Sequence, residues 1–225
     1  MSASRPSDAG ALGATTATRV AAELRRRILA GYLAPGQRLK IDEIASLLDV
    51  SHMPVREALR ELEGESVLEV FPHRGAVVKG VDERFVRNFY DIRAAVEGML
   101  TERCAERIDA EGLVRLARDV AAFESADHDD AAALVRANRA LHDTINSGAD
   151  NPDALRMLAQ GRVLADALRL RFGYGNGRID VVVAEHQSLL RAIRRRDATK
   201  AGDIARRHCI RARDDLIARM RARES

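Results

Sequence analysis

Aromatic residues make up only 4% of this 225-residue chain, and tryptophan is absent. The two cysteines, Cys104 and Cys209, have no CxxC spacing and are too few for a disulfide framework, which fits reduced thiols in a cytosolic protein. No run approaches the roughly 18 apolar residues of a membrane span, and the opening MSASRPSDAGALGATT lacks the basic-then-apolar order of a secretory signal. A cytoplasmic protein with no membrane partner is therefore expected. Excess charge is also scarce: 37 Lys and Arg against 34 Asp and Glu leave +3, too little to argue for a nucleic-acid partner by itself. What the chain does have is 46% hydrophobic residues, dominated by Leu, Ala and Val, with Arg supplying nearly all the cations. That mixture favours helices and suffices to bury a core in one large domain or two small ones.

Residues 1–17 are small and polar without an apolar period, and read as a disordered arm. From Arg19 the pattern changes. Val20, Leu24 and Ile28 recur every fourth residue, Gly31 closes that helix, and Pro35-Gly36 has the form of a type II turn. Ile41, Ile44, Leu47 and Leu48 suggest a short second helix, and Ser51 is placed to cap a third. Along that third helix Val55, Ala58, Leu59 and Leu62 form an apolar stripe, while His52, Arg56 and Arg60 lie four apart on another face. Pro54 falls in the first turn, where its missing N–H breaks no helical bond. VLEVF and AVVKGV, separated by PHRG, read as a hairpin with Gly75 at its turn. Helix, helix-turn-helix and hairpin define a winged-helix domain over 18–81.

From Asp82 nearly everything has helical period. Helices are expected at about 82–107, 110–124, 129–147, 152–172, 178–196 and 198–222, a six-helix bundle over 82–225. The fold class is mainly α: a winged helix-turn-helix followed by an all-α bundle.

A helix-turn-helix lays its second helix in the major groove, so Ser51, His52, Met53, Pro54 and Arg56 are the candidates for base edges. Arg56 matters most, because a guanidinium can donate two bonds to guanine; Arg60, a turn further on, suits phosphate. The wing tip His73-Arg74-Gly75 is a small cationic turn suited to the minor groove or flanking backbone. Ten Lys/Arg against nine Asp/Glu between Arg19 and Gly80 require these cations to be gathered on one face. A winged helix used as a protein-protein module, with its arginine face solvated, is the alternative.

Three histidines, His142, His186 and His208, lie on three different expected helices and point toward the bundle interior. Asn138 and His142, at i and i+4, share a helical face. Three imidazoles and an oxygen donor suit zinc, nickel or manganese with positions left open, while hydrogen-bonded core histidines remain the other reading. The C-terminal stretch 178–223 carries 13 Lys/Arg and six Asp/Glu, including Arg194-Arg195-Arg196, and reads as a solvated helix face or a phosphate contact.

The segments GYLAPGQRL, IDEIASLLDVSHMPVREALRELE and PHRGAVV resemble the winged-helix domain of GntR-type bacterial transcription regulators from Arg19 to about Val81. That resemblance assigns operator contacts to positions 51–54 and 56 and a wing glycine to Gly75. His52 stands where Arg is usual and Met53 where a small hydroxyl residue is common, altering the base contacts; Ser66 replaces a common Gly. From about 82 to 222 the chain resembles the FCD ligand-binding and dimerisation domain of the FadR branch, and the count of six helices points to its VanR-type subgroup. The matching residues are Arg93 with Glu97, Asn138 with His142, Glu185-His186, and His208. The resemblance implies a divalent metal on Asn138, His142, His186 and His208, zinc first. Asn138 replaces the commoner Asp and Leu141 the usual Phe; a neutral amide leaves the site one charge more positive. Arg93 is the candidate contact for an effector carboxylate, or else pairs with Glu97. The function implied is a homodimeric repressor on a palindromic double-stranded DNA operator, answering a small carboxylate. A metal-dependent hydrolase with an accessory winged helix is the runner-up, although HExxH is missing and Glu185 points about 100° away from His186.

Overall fold

The computed structural model describes residues 15–72 and 74–224, which form ten helices and three strands. The arm expected over 1–17 lies outside the described residues except at its end, where the structure corrects its boundary. Helix α1 (Thr16–Leu29) already includes Thr16 and buried Ala17, because the Thr15 hydroxyl accepts from Thr18 N and caps it. Val20, Ala21, Leu24 and Ile28 face inward, and Gly31, at φ +77°, follows the helix end. A short strand β1 (Arg38–Leu39) leads into α2 (Ile41–Leu48) and α3 (His52–Gly64). Ser51 occupies the cap position of α3 without a capping side-chain bond.

The wing is β2 (Leu68–Phe71) and β3 (Gly75–Val78), antiparallel with Phe71 opposite Gly75. Its inner edge is not free: β1 pairs with β3, giving the order β1-β3-β2. That two-residue strand was invisible to period counting, since no alternation exists over two residues. Gly75 is forced by this pairing. At φ +84° a side chain is strained, and a Cβ there would lie 2.1 Å from the Leu39 carbonyl oxygen. Ser66, by contrast, holds φ +59° as a non-glycine, which explains why glycine is common at this place in the similar domains.

The C-terminal unit has α4 (Glu83–Arg107), α5 (Ala110–Glu124), α6 (Ala131–Ser147), α7 (Pro152–Ala159), α8 (Arg162–Phe172), α9 (Arg178–Arg194) and α10 (Ala198–Glu224). These are seven helices where six were expected. The segment 152–172 is broken at Gly161, whose φ of +74° and N–H bond to the Glu65 carbonyl (2.8 Å) turn the chain between α7 and α8. The helix count therefore gives no support to the VanR-type assignment. Asp82, Asp109, Asp130 and Asn151 cap α4 to α7 through their side chains. The two longest helices, α4 and α10, lie against each other and are cross-linked by Arg206–Glu102 (2.7 Å) and Arg213–Asp91 (2.5 Å). Of the Arg194-Arg195-Arg196 run, Arg196 reaches the Glu106 and Ile108 carbonyls at 2.7 and 2.9 Å, closing the end of α4, while Arg194 and Arg195 are exposed.

The winged-helix core gathers Leu24, Leu59, Leu62 and Leu68, and includes Leu164 of α8. Urea unfolding checks two expectations in the wing. Gly75→Ala loses roughly 2–3 kcal/mol, because the backbone of β1 must move. Ser66→Gly gains roughly 0.5 kcal/mol, since relief of about 1–2 kcal/mol of left-handed strain exceeds glycine's entropic cost of about 0.5–1 kcal/mol.

Candidate metal centre and nucleic-acid interface

The stripe Val55, Ala58, Leu59, Leu62 is buried, which turns Ser51, His52, Met53, Arg56 and Arg60 outward and leaves Pro54 half-buried. His52 Nε2 lies 3.2 Å from Asp42 of α2, so part of its hydrogen-bonding capacity is turned toward the protein. Arg56 lines a groove with Arg38 of β1, Lys40 at the cap of α2 and Arg74 from the wing; Asp42 is the one acidic residue in its lining. Arg38 donates to the Arg74 carbonyl at 3.2 Å, tying strand to wing. The segregation of charge that the sequence tally demanded is thus supplied partly by Arg38 and Lys40, which no helical spacing could reveal. Gly75 is buried, and its requirement is the close approach to Leu39. Arg74, beside it, is exposed at the wing tip. His73 lies outside the described residues.

In the C-terminal unit, α6, α9 and α10 bring His142, His186 and His208 together, all buried, with one ring nitrogen of each within 4.8 Å of the others. His142 Nε2 and His208 Nε2 are 3.3 Å apart. Nitrogens bound about 2.0–2.1 Å from a shared tetrahedral centre lie about 3.3–3.4 Å apart, so this pair already has ligand spacing. The outward nitrogens are held by carboxylates: His142 Nδ1 is 3.3 Å from Glu97, and His208 Nδ1 is 2.8 Å from Glu185. Both Nε2 atoms are thereby aimed inward, the arrangement that outer carboxylates impose on metal-bound imidazoles. His186 is fully buried, edge-on to Phe123, and neither of its ring nitrogens has a hydrogen-bond partner.

Electrostatics keep the ligand atoms available. Burial, with His208, His142 and Arg178 nearby, holds the His186 pKa well below its ordinary value. Burial likewise lowers His208 to about 4, outweighing the Glu185 hydrogen bond. Burial would raise the Glu97 and Glu185 carboxyls, but Arg93 and His142 hold Glu97 well below the carboxylate range, while His208, Arg211 and Arg178 hold Glu185 at about 2. Three buried imidazoles, two of them backed by carboxylates, form a donor set for a borderline divalent ion.

Asn138 sits one turn before His142 on α6 and lines the same narrow cleft as His208 and Arg93, with an interior free volume of about 40 Å3. Arg93 makes the Glu97 ion pair, Nε to Oε1 at 2.7 Å, and also lines the cleft. Glu97 and Glu185 were not recognised as orienting groups from sequence. The i, i+4 spacing of Arg93 and Glu97 hinted at the first; the second reaches across to another helix. Glu185 is engaged by His208, Arg178 (3.2 Å) and Arg211 (2.8 Å).

A winged helix with a cationic groove, carried beside a helical unit with a buried polar cluster and a cleft, is the architecture of a DNA-binding regulator. The chain matches the bacterial regulatory proteins of the gntR family over residues 16–78 and the FCD domain over 88–223, and it belongs to the GntR family of regulators with an FCD domain. It is 30% identical over 211 residues, 93% of this chain and 88% of the other, to an HTH-type transcriptional regulator in an unstable DNA locus of Streptomyces ambofaciens. It is 41% identical to the gluconate operon transcriptional repressor of Bacillus subtilis over 102 residues, 45% of this chain and 41% of that one. The solved structure of E. coli McbR/YncC shares the fold with a TM-score of 0.75 at 22% identity, covering 95% of this chain and 100% of that one. No helix among the described residues is long and apolar enough to cross a membrane.

Removing the unpartnered imidazole separates its two roles. In chelator, His186→Leu is expected to unfold in urea no more easily than wild type, because two unsatisfied nitrogens leave the core. With zinc at about a thousand times its Kd, wild type gains about 4 kcal/mol and the variant gains nothing.

Proposed function

We propose that the protein is a cytoplasmic homodimeric repressor that binds a palindromic operator and answers a small carboxylate metabolite at a metal-bearing cleft. The observation that carries the sensor half is His186, fully buried with two unpartnered nitrogens beside two imidazoles at ligand spacing. A divalent transition ion, zinc first with nickel or manganese possible by donor type, would be held by His142, His186 and His208, with Asn138 as the oxygen donor. When bound, it supplies a Lewis-acidic position for a carboxylate oxygen. The chain's own contribution is to orient two imidazoles through Glu97 and Glu185 and to offer Arg93 at the cleft wall. A neutral Asn138 in place of a carboxylate leaves more positive charge for an anionic ligand to meet.

Repression is supported by relatives named as repressors, over their winged-helix portions. Two Arg56-bearing helices related by a two-fold axis would match two half-sites about 34–36 Å apart. The hydrolase reading is disfavoured by the complete engagement of Glu185.

Duplex DNA selected in vitro by the wild-type protein provides the operator for the test. Arg56→Ala is expected to weaken the selected site by about 1–3 kcal/mol, roughly 5- to 150-fold, with little change on random duplex. Arg60→Ala weakens both and lowers the salt slope by about 1. An unaltered preference in Arg56→Ala refutes the recognition-helix assignment. Native mass spectrometry of the untagged protein should show two 24.8 kDa chains with one metal each; a monomer, or a species that refuses added zinc, nickel and manganese, refutes the corresponding half.

A further inference from the structure

Helix α8 has two working faces. One lines the cleft through Arg162, Asp166 and Arg169. The other places Leu164 in the winged-helix core with Val163 and Ala167 against it. Its entry is pinned as well, since Gly161 N–H bonds at 2.8 Å to the carbonyl of Glu65, the residue that caps the end of recognition helix α3. Glu65 is in turn held to α1 by Arg25, whose Nε donates at 2.9 Å.

On its cleft side α8 is fastened to α6, the helix that carries Asn138 and His142. Arg139 pairs with Asp166, and Arg162 pairs with Asp143 at 2.7 Å. Positions 139 and 143 are one turn apart on α6, and 162 and 166 one turn apart on α8, so the two pairs form a reciprocal ladder between facing helices. Arg139 is not satisfied by this arrangement: its Nε is buried without a partner.

Resting on the metal-and-carboxylate reading above, we propose that Arg139 is an anion subsite of the cleft that Asp166 occupies in the absence of ligand. An anionic effector takes Asp166's place on Arg139, opens one rung of the ladder and frees α8 from α6. Because α8 shares Leu164 with the winged-helix core and touches the end of α3 through Gly161, that release is delivered to the DNA-reading helix. A guanidinium fork favours a bidentate carboxylate, so the ligand class is a small acid with a second anionic group beyond the one at the metal.

Zinc-loaded full-length protein is titrated with malonate, and separately with sulfate, by calorimetry. Hydrogen exchange over residues 161–172 is measured on the ligand-free protein with and without zinc. Asp166→Asn should bind malonate at least tenfold more tightly than wild type, and Arg139→Gln at least tenfold more weakly. The α8 amides of Asp166→Asn should exchange at least fivefold faster without ligand. Asp143→Asn, which opens the other rung and leaves Asp166 on Arg139, should also loosen α8. Equal malonate affinity in wild type, Asp166→Asn and Arg139→Gln, or uptake of neither anion by any of them, overturns the subsite. Unchanged α8 exchange in Asp166→Asn overturns the ladder. Failure to take up zinc sinks the metal reading alone, because exchange in the zinc-free protein still decides the ladder.

Discussion

An imidazole stripped of water and given no partner is a standing cost, and the C-terminal unit is organised around that cost at His186. Each such nitrogen forfeits the desolvation that a hydrogen bond would normally return. The surrounding helices do not relieve it. Instead α4 contributes Glu97 and α9 contributes Glu185 to orient the two neighbouring rings, and the α4–α10 pairing keeps these groups in register. A core free to minimise its own energy would place a leucine or phenylalanine at 186. Keeping a neutral, buried ligand atom at the junction of three helices makes sense when its stabilisation arrives from outside the chain.

The carboxylates explain why the arrangement is stable enough to persist. Glu97 is shared between Arg93 and His142, and Glu185 among Arg178, Arg211 and His208, so neither is a lone buried charge. Arg93, Glu97 and His142 form one relay, and Arg178, Glu185 and His208 another. Each fixes its ring so that Nε2 faces the centre.

How much of this was legible depended on the range of the interaction. The recognition helix and wing were readable because an apolar stripe at 55, 58, 59 and 62 and a β-branched hairpin are local patterns. Three inward histidines were also readable, since each sits in its own helical period. The break at Gly161 was not: its left-handed turn is secured by the carbonyl of Glu65, nearly a hundred residues away, and a lone glycine in an apolar helical pattern carries no such information. Strand β1 exists only because β3 lies beside it. Glu185 was set aside because its direction was judged against His186 on the same helix, when its partner is on α10. The turn at Gly75 is legible locally, but its close approach to the Leu39 carbonyl depends on β1 and is not.

Leu164 has a consequence for how such proteins can be rearranged. It is a core residue of the DNA-binding unit that is encoded about eighty residues downstream of it, inside the sensor. A graft that joins this winged helix to a foreign sensor at residue 81 would leave a leucine-sized hole in the head. A sensor moved onto a foreign head would present an unmatched apolar knob. The two units therefore exchange as modules only where the incoming helical unit brings a matching side chain to that socket.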